Sequence, residues 1–125
     1  MKTFLTLTAL FEGITGLILL TIPSVFLSFL LGTALNEPGG ILARLTGVAL
    51  LSISIACWSC RNEAHHASGI GKALLFYNIA AGSLLIYSFK AGFSGIGLWP
   101  AVIQHFVFGI WCIQLLKKQP GHVTP

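Results

Sequence analysis

The chain has 125 residues, of which 55% are hydrophobic and only 8% are charged, and its formal net charge at pH 7 is +4. Soluble domains carry about 25% charged residues, so this composition excludes an ordinary soluble domain. The basic residues lie between apolar segments and do not cluster on one surface, which argues against nucleic-acid binding and is typical of membrane topology.

The first apolar segment, residues 4–22, predicts a transmembrane helix with a single charge, Glu12, near its centre. At about 1.5 Å per residue the segment extends about 28 Å, which matches the hydrocarbon thickness of a bilayer. A carboxylate at this depth has to face protein or a wet cavity, because lipid offers it no partner. Cleavage as a signal peptide is the alternative, but the apolar run exceeds the usual ~7–15 residues and no A-x-A-like site follows it.

Three more apolar segments predict three more spans. Val25–Leu31 is too short to cross a membrane, and we expect a short helix there that lies on the membrane surface or packs across the mouth of the bundle. Residues 61–71 are expected to form a hydrophilic loop and residues 119–125 a disordered tail. The tryptophans and tyrosines are expected near the interfaces, as in aromatic belts. The predicted spans are residues 4–22, 41–60, 73–89 and 98–116.

These spans predict a single-domain, all-α fold: an antiparallel up-down four-transmembrane-helix bundle, since short connections make sequential helices antiparallel neighbours. Small residues four positions apart predict close helix contacts; the pairs are Ala9 and Gly13, Ala43 and Gly47, and Ser52 and Ala56. Most basic residues fall on one side of the membrane, namely Lys2, Arg61, Lys72, Lys117 and Lys118, against Arg44 and Lys90 on the other. This distribution predicts that both termini are cytoplasmic.

Polar residues within the spans are the candidates for function. Glu12, Arg44 and His105 are predicted to converge in the outer half of the bundle, because Arg44 lies ~5 Å and His105 ~10 Å below its outer edge. Asn78 and Gln104 are further candidates to line the same ligand site. In the structural alternative, Glu12 and Arg44 only neutralise each other, Arg44 snorkels to the interface, and His105 bonds a neighbouring backbone group.

Cysteines form a second constellation: Cys57 and Cys60 make a C-x-x-C pair at the end of the second span, and Cys112 lies at similar depth on the fourth. A redox role is disfavoured, because a helix C-terminus destabilises thiolate and the cytosol keeps thiols reduced. A zinc or copper site would add His65 or His66, but the spacing matches no standard signature. We therefore predict no metal site and interpret the cysteines as packing residues.

Four short motifs carry a family resemblance: E-G-x-x-G-L-x-L-L from Glu12, R-L-T-G-V-A-L-L from Arg44, L-L-F-Y-N-I-A-A from Leu74 and L-W-P-A-V-I-Q-H from Leu98. Together they resemble a group of small bacterial four-span membrane proteins and, more distantly, the DoxX-type membrane proteins. The resemblance covers nearly the whole chain. It implies an inner-membrane accessory or quinone-facing role, since DoxX-like proteins are linked with quinone-coupled sulfur oxidation and oxidative-stress complexes. It transfers no catalytic residue.

Three functional hypotheses follow from these observations. The first is a binding or accessory protein of the bacterial inner membrane that holds a small lipophilic or amphiphilic ligand at Glu12, Arg44 and His105. The second is a membrane oxidoreductase, in which this cluster passes a proton to a quinone or His105 ligates a haem. The third is a structural subunit of a membrane complex or a homo-oligomer. Membrane lipid is an expected partner in each case, and nucleic acid is not.

Overall fold

The computed structural model of the chain describes residues 1–118, except for the side chains of residues 64–66. The predicted disordered tail, residues 119–125, lies outside the described residues. The described part is built from five α-helices, which confirms the predicted all-α class. In chain order they are α1 (Lys2–Thr21), α2 (Pro23–Leu31), α3 (Glu37–Cys60), α4 (Ala64–Lys90) and α5 (Leu98–Lys117).

Four of these helices, α1, α3, α4 and α5, are long and apolar enough to cross a membrane, as predicted. Helix α3 begins earlier than the predicted span because Asn36 caps it. The Asn36 side-chain oxygen accepts a hydrogen bond from the Gly39 N–H at 2.8 Å. This cap satisfies one of the free N–H groups that every helix start exposes. The acidic and proline-containing start E-P-G-G is therefore the first turn of the span and not a separate loop.

The hydrophilic connection between α3 and α4 is shorter than predicted. The prediction of a loop over residues 61–71 is wrong, because α4 already begins at Ala64 and leaves only residues 61–63 between the helices. No proline interrupts this stretch, and Gly71 is buried where α4 packs against Leu116 of α5. Tertiary packing thus keeps a glycine-containing segment helical despite its low intrinsic propensity. The polar first turns of α4 extend the helix beyond the apolar span, which begins at Ala67.

Helices α1 and α3 pack with their backbones in close contact. A Cβ added to Gly47 would lie 2.7 Å from the Gly16 carbonyl oxygen, and one added to Gly16 would lie 2.8 Å from the Gly47 oxygen. Further along the same interface, the Ser54 hydroxyl donates a hydrogen bond to the Ala9 carbonyl at 2.6 Å. Small residues allow this approach, and van der Waals contact and interhelical hydrogen bonds stabilise it where water is absent.

The outer faces of the helices carry the large apolar side chains that a membrane protein presents to lipid. Helix α3 exposes Ile41, Leu45 and Ile55, for example. Ser52 and Ala56 lie on this exposed surface as well, so the helix contact predicted for that pair is wrong. Small size alone does not identify a contact residue, because the partner helix meets only one face of α3.

The two halves of the bundle differ in how they are filled. At the end opposite α2, a continuous apolar core joins all four long helices; its buried members are Phe4, Leu5, Ala9, Cys57, Ala67, Leu74, Phe108 and Cys112. Aromatic contacts tie α1 to α5 within it, with ring centroids of Phe4 and Phe108 5.9 Å apart. The half that contains α2, called here the α2 end, has a smaller core of Leu19, Ala43 and Leu50 and contains a cavity.

Helix α2 covers this cavity, which agrees with the second of the two placements expected for it. It is capped by Gly32, whose φ of 70° is a left-handed conformation that glycine adopts without strain. Just before that end, the Phe29 carbonyl accepts a hydrogen bond from the Gly97 N–H at 3.0 Å. This bond attaches α2, which covers the cavity, to the start of α5.

Candidate functional site

The candidate site is a cavity of about 460 Å³ between the α1–α3 pair and the α4–α5 pair. Its closed end carries Glu12, Tyr77 and His105, and its other end reaches Ser88 near the end of α4. Along α4 this distance corresponds to eleven residues, or about 16 Å at the helical rise. The lining between the two ends is mainly apolar and includes Leu19, Phe26, Leu50, Leu85, Pro100 and Ala101.

Glu12 faces the interior of the bundle, as its position in the span requires. Its side chain is 4% exposed, and its Oε2 accepts a hydrogen bond from the Tyr77 hydroxyl at 3.0 Å. This contact joins α1 to α4 across the cavity. One turn earlier, Thr8 is fully buried, and its hydroxyl has no hydrogen-bond partner within the described residues. Thr8 and Glu12 thus place polar side chains on the inner face of α1, and the hydrogen-bond partner of Glu12 is a tyrosine.

Arg44 does not join this site. Its side chain is exposed and lines a separate depression at the start of α3, together with Glu37 and Ser24. The register between α1 and α3 explains the separation: Gly16 meets Gly47, so Glu12 lies beside residues further along α3. Arg44 is consequently at least seven residues, or about 10 Å, from the level of Glu12. The predicted convergence of Arg44 with Glu12 and His105 is not formed within the described residues.

Asn78 and His105 form the second polar contact of the site. Asn78 is 1% exposed, its Nδ2 donates to the Leu74 carbonyl at 2.8 Å, and its Oδ1 lies 3.0 Å from His105 Nδ1. The ring of His105 also meets the ring of Tyr77 edge to face, with centroids 5.5 Å apart. Two consecutive residues of α4 thus hold the side chains at the closed end of the cavity: Tyr77 donates to Glu12, and Asn78 contacts His105.

Four polar groups at or next to the closed end remain free to meet a ligand. Within the described residues, no hydrogen bond involves Glu12 Oε1, the Thr15 hydroxyl, His105 Nε2 or the Gln104 side-chain amide. In that part of the chain, the fully buried side-chain atom without a partner is Thr8 Oγ1, so these four groups are accessible from the cavity that their residues line. Together they offer both hydrogen-bond donors and acceptors.

Tyr77 is the site residue that sequence reasoning missed. Tyrosines were expected at the membrane interfaces, yet Tyr77 lies near the middle of α4 and points inward to Glu12. The spacing of Tyr77, Ala81 and Ser88, at four and seven residues, could have placed them on one helix face. All three line the cavity.

The cysteines lie away from this cavity. Cys57 and Cys112 belong to the apolar core of the opposite half, and the Cys112 thiol donates to the Gly71 carbonyl at 3.1 Å. Cys60 is partly exposed, and none of the three cysteines forms a disulfide within the described residues. The side chains of His65 and His66 lie outside the described residues. Among the residues that are described, no group of three potential metal ligands comes together.

Comparison with known proteins found no match to a protein-family model, to a curated protein or to a solved structure. The resemblance to DoxX-type membrane proteins therefore remains a prediction. The cavity and its polar groups are the remaining guide to function.

Proposed function

We propose that this protein is an integral membrane binding protein that holds a small, largely apolar molecule with a polar head. The head would contact Glu12, His105 and Gln104, and the apolar part would extend towards α2. The observation that carries this proposal is the set of accessible polar groups at the closed end of a mainly apolar cavity. Ligand sites in proteins commonly combine such a lining with a few placed polar groups.

The size of the cavity supports an occupant. Its volume of about 460 Å³ lies within the ~300–1,000 Å³ that is typical of ligand pockets, whereas packed protein interiors contain few voids larger than a water molecule. A stable bundle with this shape is therefore expected to contain something that fills the space, whether a lipid chain, water or a specific ligand.

The polar groups favour a ligand with a head over a plain lipid chain. A hydrocarbon tail that reached the closed end would leave Glu12, His105 and Gln104 against methylene groups. Polar groups without partners in an apolar environment are unfavourable by several kcal/mol each. Water alone would satisfy them but would not match the apolar lining around Leu19 and Leu85. An amphiphile meets both requirements at once.

We further propose that the protein resides in the bacterial inner membrane with both termini in the cytoplasm. The excess of basic residues at the end opposite α2 supports this orientation. The cavity and α2 would then lie in the outer half of the membrane. A ligand would enter from the outer leaflet or from the space outside the membrane.

Mass spectrometry of solvent extracts from the purified protein tests the proposal. We expect one lipophilic compound to be enriched over the lipids of the host membrane. Ala101→Phe places a ring inside the cavity and should remove that compound, whereas Ala49→Phe, the same change on the exposed face of α3, should not. Glu12→Leu should remove it too, because it deletes the carboxyl from the closed end. An extract that contains only bulk lipid would contradict the proposal.

The same preparation separates the two alternatives. A visible absorption band or an extracted quinone would favour the membrane oxidoreductase, with His105 near the cofactor. A second protein that copurifies in a stoichiometric amount would favour the structural subunit, provided that the extract contains only bulk lipid.

A further inference from the structure

We infer that the cavity selects ligands whose head group donates a hydrogen bond to His105 Nε2, so that it prefers an alcohol or a phenol over the same molecule with its oxygen alkylated. This inference rests on the proposed binding function and specifies the chemical class of its ligand. It also assigns Asn78 as the positioning residue, because Asn78 fixes which ring nitrogen of His105 carries the proton.

The orientation of the Asn78 amide is the first step. The atom that lies 2.8 Å from the Leu74 carbonyl oxygen has to be a donor, since a carbonyl oxygen only accepts. That atom is therefore the amide nitrogen, and the amide oxygen faces His105. Asn78 is almost completely buried, so no solvent competes for either end of the amide.

The proton on His105 follows from this orientation. The amide oxygen of Asn78 only accepts, and it lies 3.0 Å from His105 Nδ1. Nδ1 therefore carries a proton and donates it to the Asn78 oxygen. A neutral imidazole has one ring proton, so Nε2 is left with a lone pair and no hydrogen. The opposite tautomer would place two acceptors against each other in a buried site.

The remaining face of the imidazole sets the requirement on the ligand. Nε2 has no partner within the described residues and is accessible from the cavity. As an acceptor, Nε2 forms a hydrogen bond with a ligand O–H or N–H. An ether or carbonyl oxygen has no hydrogen to donate to it and is repelled. The Gln104 amide, which lines the same cavity, supplies N–H groups to the oxygen of a bound hydroxyl. A hydroxyl head thus has a partner for its hydrogen and for its oxygen, whereas a methyl ether loses the first of these.

A matched pair of probes, 4-hexylphenol and 4-hexylanisole, tests the inference with the protein in nanodiscs. At pH 8 an imidazole of ordinary pKa is neutral and the phenol is still protonated. We expect the wild type to bind the phenol about tenfold more tightly than the anisole, because one unmatched buried acceptor typically changes an affinity by that factor. In Asn78→Leu the proton is free to move between the ring nitrogens, so the preference should fall to about twofold or less.

Nitrogen-15 NMR of histidine-labelled protein measures the tautomer of His105 directly. If Asn78 only stabilised the fold, its replacement would not change this tautomer. The chain has four histidines, and His105→Gln identifies the signal of His105. The wild type should show the tautomer with the proton on Nδ1, and Asn78→Leu should show a mixture. If Asn78→Leu does not fold, the wild-type spectrum still decides the tautomer.

The outcomes separate the inference from the proposed function. Equal binding of both probes, tighter binding of the anisole, or a proton on Nε2 in the wild type would overturn the inference and leave the binding function standing. If the wild type binds neither probe and its extract contains only bulk lipid, the proposed function fails and this inference fails with it.

Discussion

Replacing Gly47 by alanine tests the packing that places Glu12 at the cavity. The new Cβ would lie 2.7 Å from the Gly16 oxygen and 2.9 Å from the Leu20 nitrogen. Both atoms belong to the backbone of α1, so no side-chain rotation relieves the contact. The helices have to separate, and the hydrogen bond from Ser54 to Ala9 lengthens with them.

The expected magnitude follows from two opposing terms. Overpacking a tight contact destabilises by about 1–3 kcal/mol. Alanine would recover up to about 1 kcal/mol of helix propensity in water, but spanning helices stay helical when a bundle comes apart in membrane or detergent, so little of that gain appears. We therefore expect Gly47→Ala to lower the free energy of unfolding by about 1–3 kcal/mol.

Titration with a denaturing detergent, followed by circular dichroism and tryptophan fluorescence, measures this change. Gly69→Ala is the matched control, because no heavy atom lies within 4 Å of its Cβ position, and its stability should stay within about 0.5 kcal/mol of the wild type. Unchanged or increased stability of Gly47→Ala would refute the close approach of α1 and α3. An equal loss in both variants would show that the assay reports glycine content and not helix contact.

Three further predictions concern the site, the lid and the topology. A double-mutant cycle of Glu12→Gln and Tyr77→Phe should give a coupling energy of about 0.5–1.5 kcal/mol in the same unfolding assay, and zero coupling would mean that their hydrogen bond is not formed. Gly95→Ala places a Cβ against the backbone of α2, so ligand dissociation measured with a labelled phenol should accelerate about tenfold or more, and an unchanged rate would show that α2 does not cover the exit. Labelling of the wild type with an impermeant thiol reagent reports on Cys60, because the other two cysteines are buried, and it should occur only after the cells are permeabilised. Ser94→Cys should react in intact cells, and the reverse pattern would invert the proposed topology.

The sequence by itself determined the number and nature of the helices. Four apolar runs of sufficient length predict four spans, because transfer of a segment into lipid depends on its own residues and hardly on its neighbours. The inward orientation of Glu12 followed for the same reason, since a carboxyl in the middle of a span has no acceptable position facing lipid. The short α2 was predictable from its length, together with the turn-forming residues after it.

The tertiary structure decided which side chains meet. Glu12 and Arg44 have opposite charges and lie on adjacent helices, yet the register set by Gly16 and Gly47 keeps them apart. Tyr77 takes the place expected for the arginine, because its helix face turns towards α1 at the level of Glu12.

The register and rotation of one helix against another are set by contacts along the whole interface. A change of one residue in register shifts a side chain by about 1.5 Å along the axis and by about 100° around it. The apolar periodicity of a span hardly constrains these two variables, because lipid and protein interior are both apolar and every face of the helix is hydrophobic. The spans are therefore encoded locally, whereas the partners of Glu12 and His105 exist only once four helices have packed.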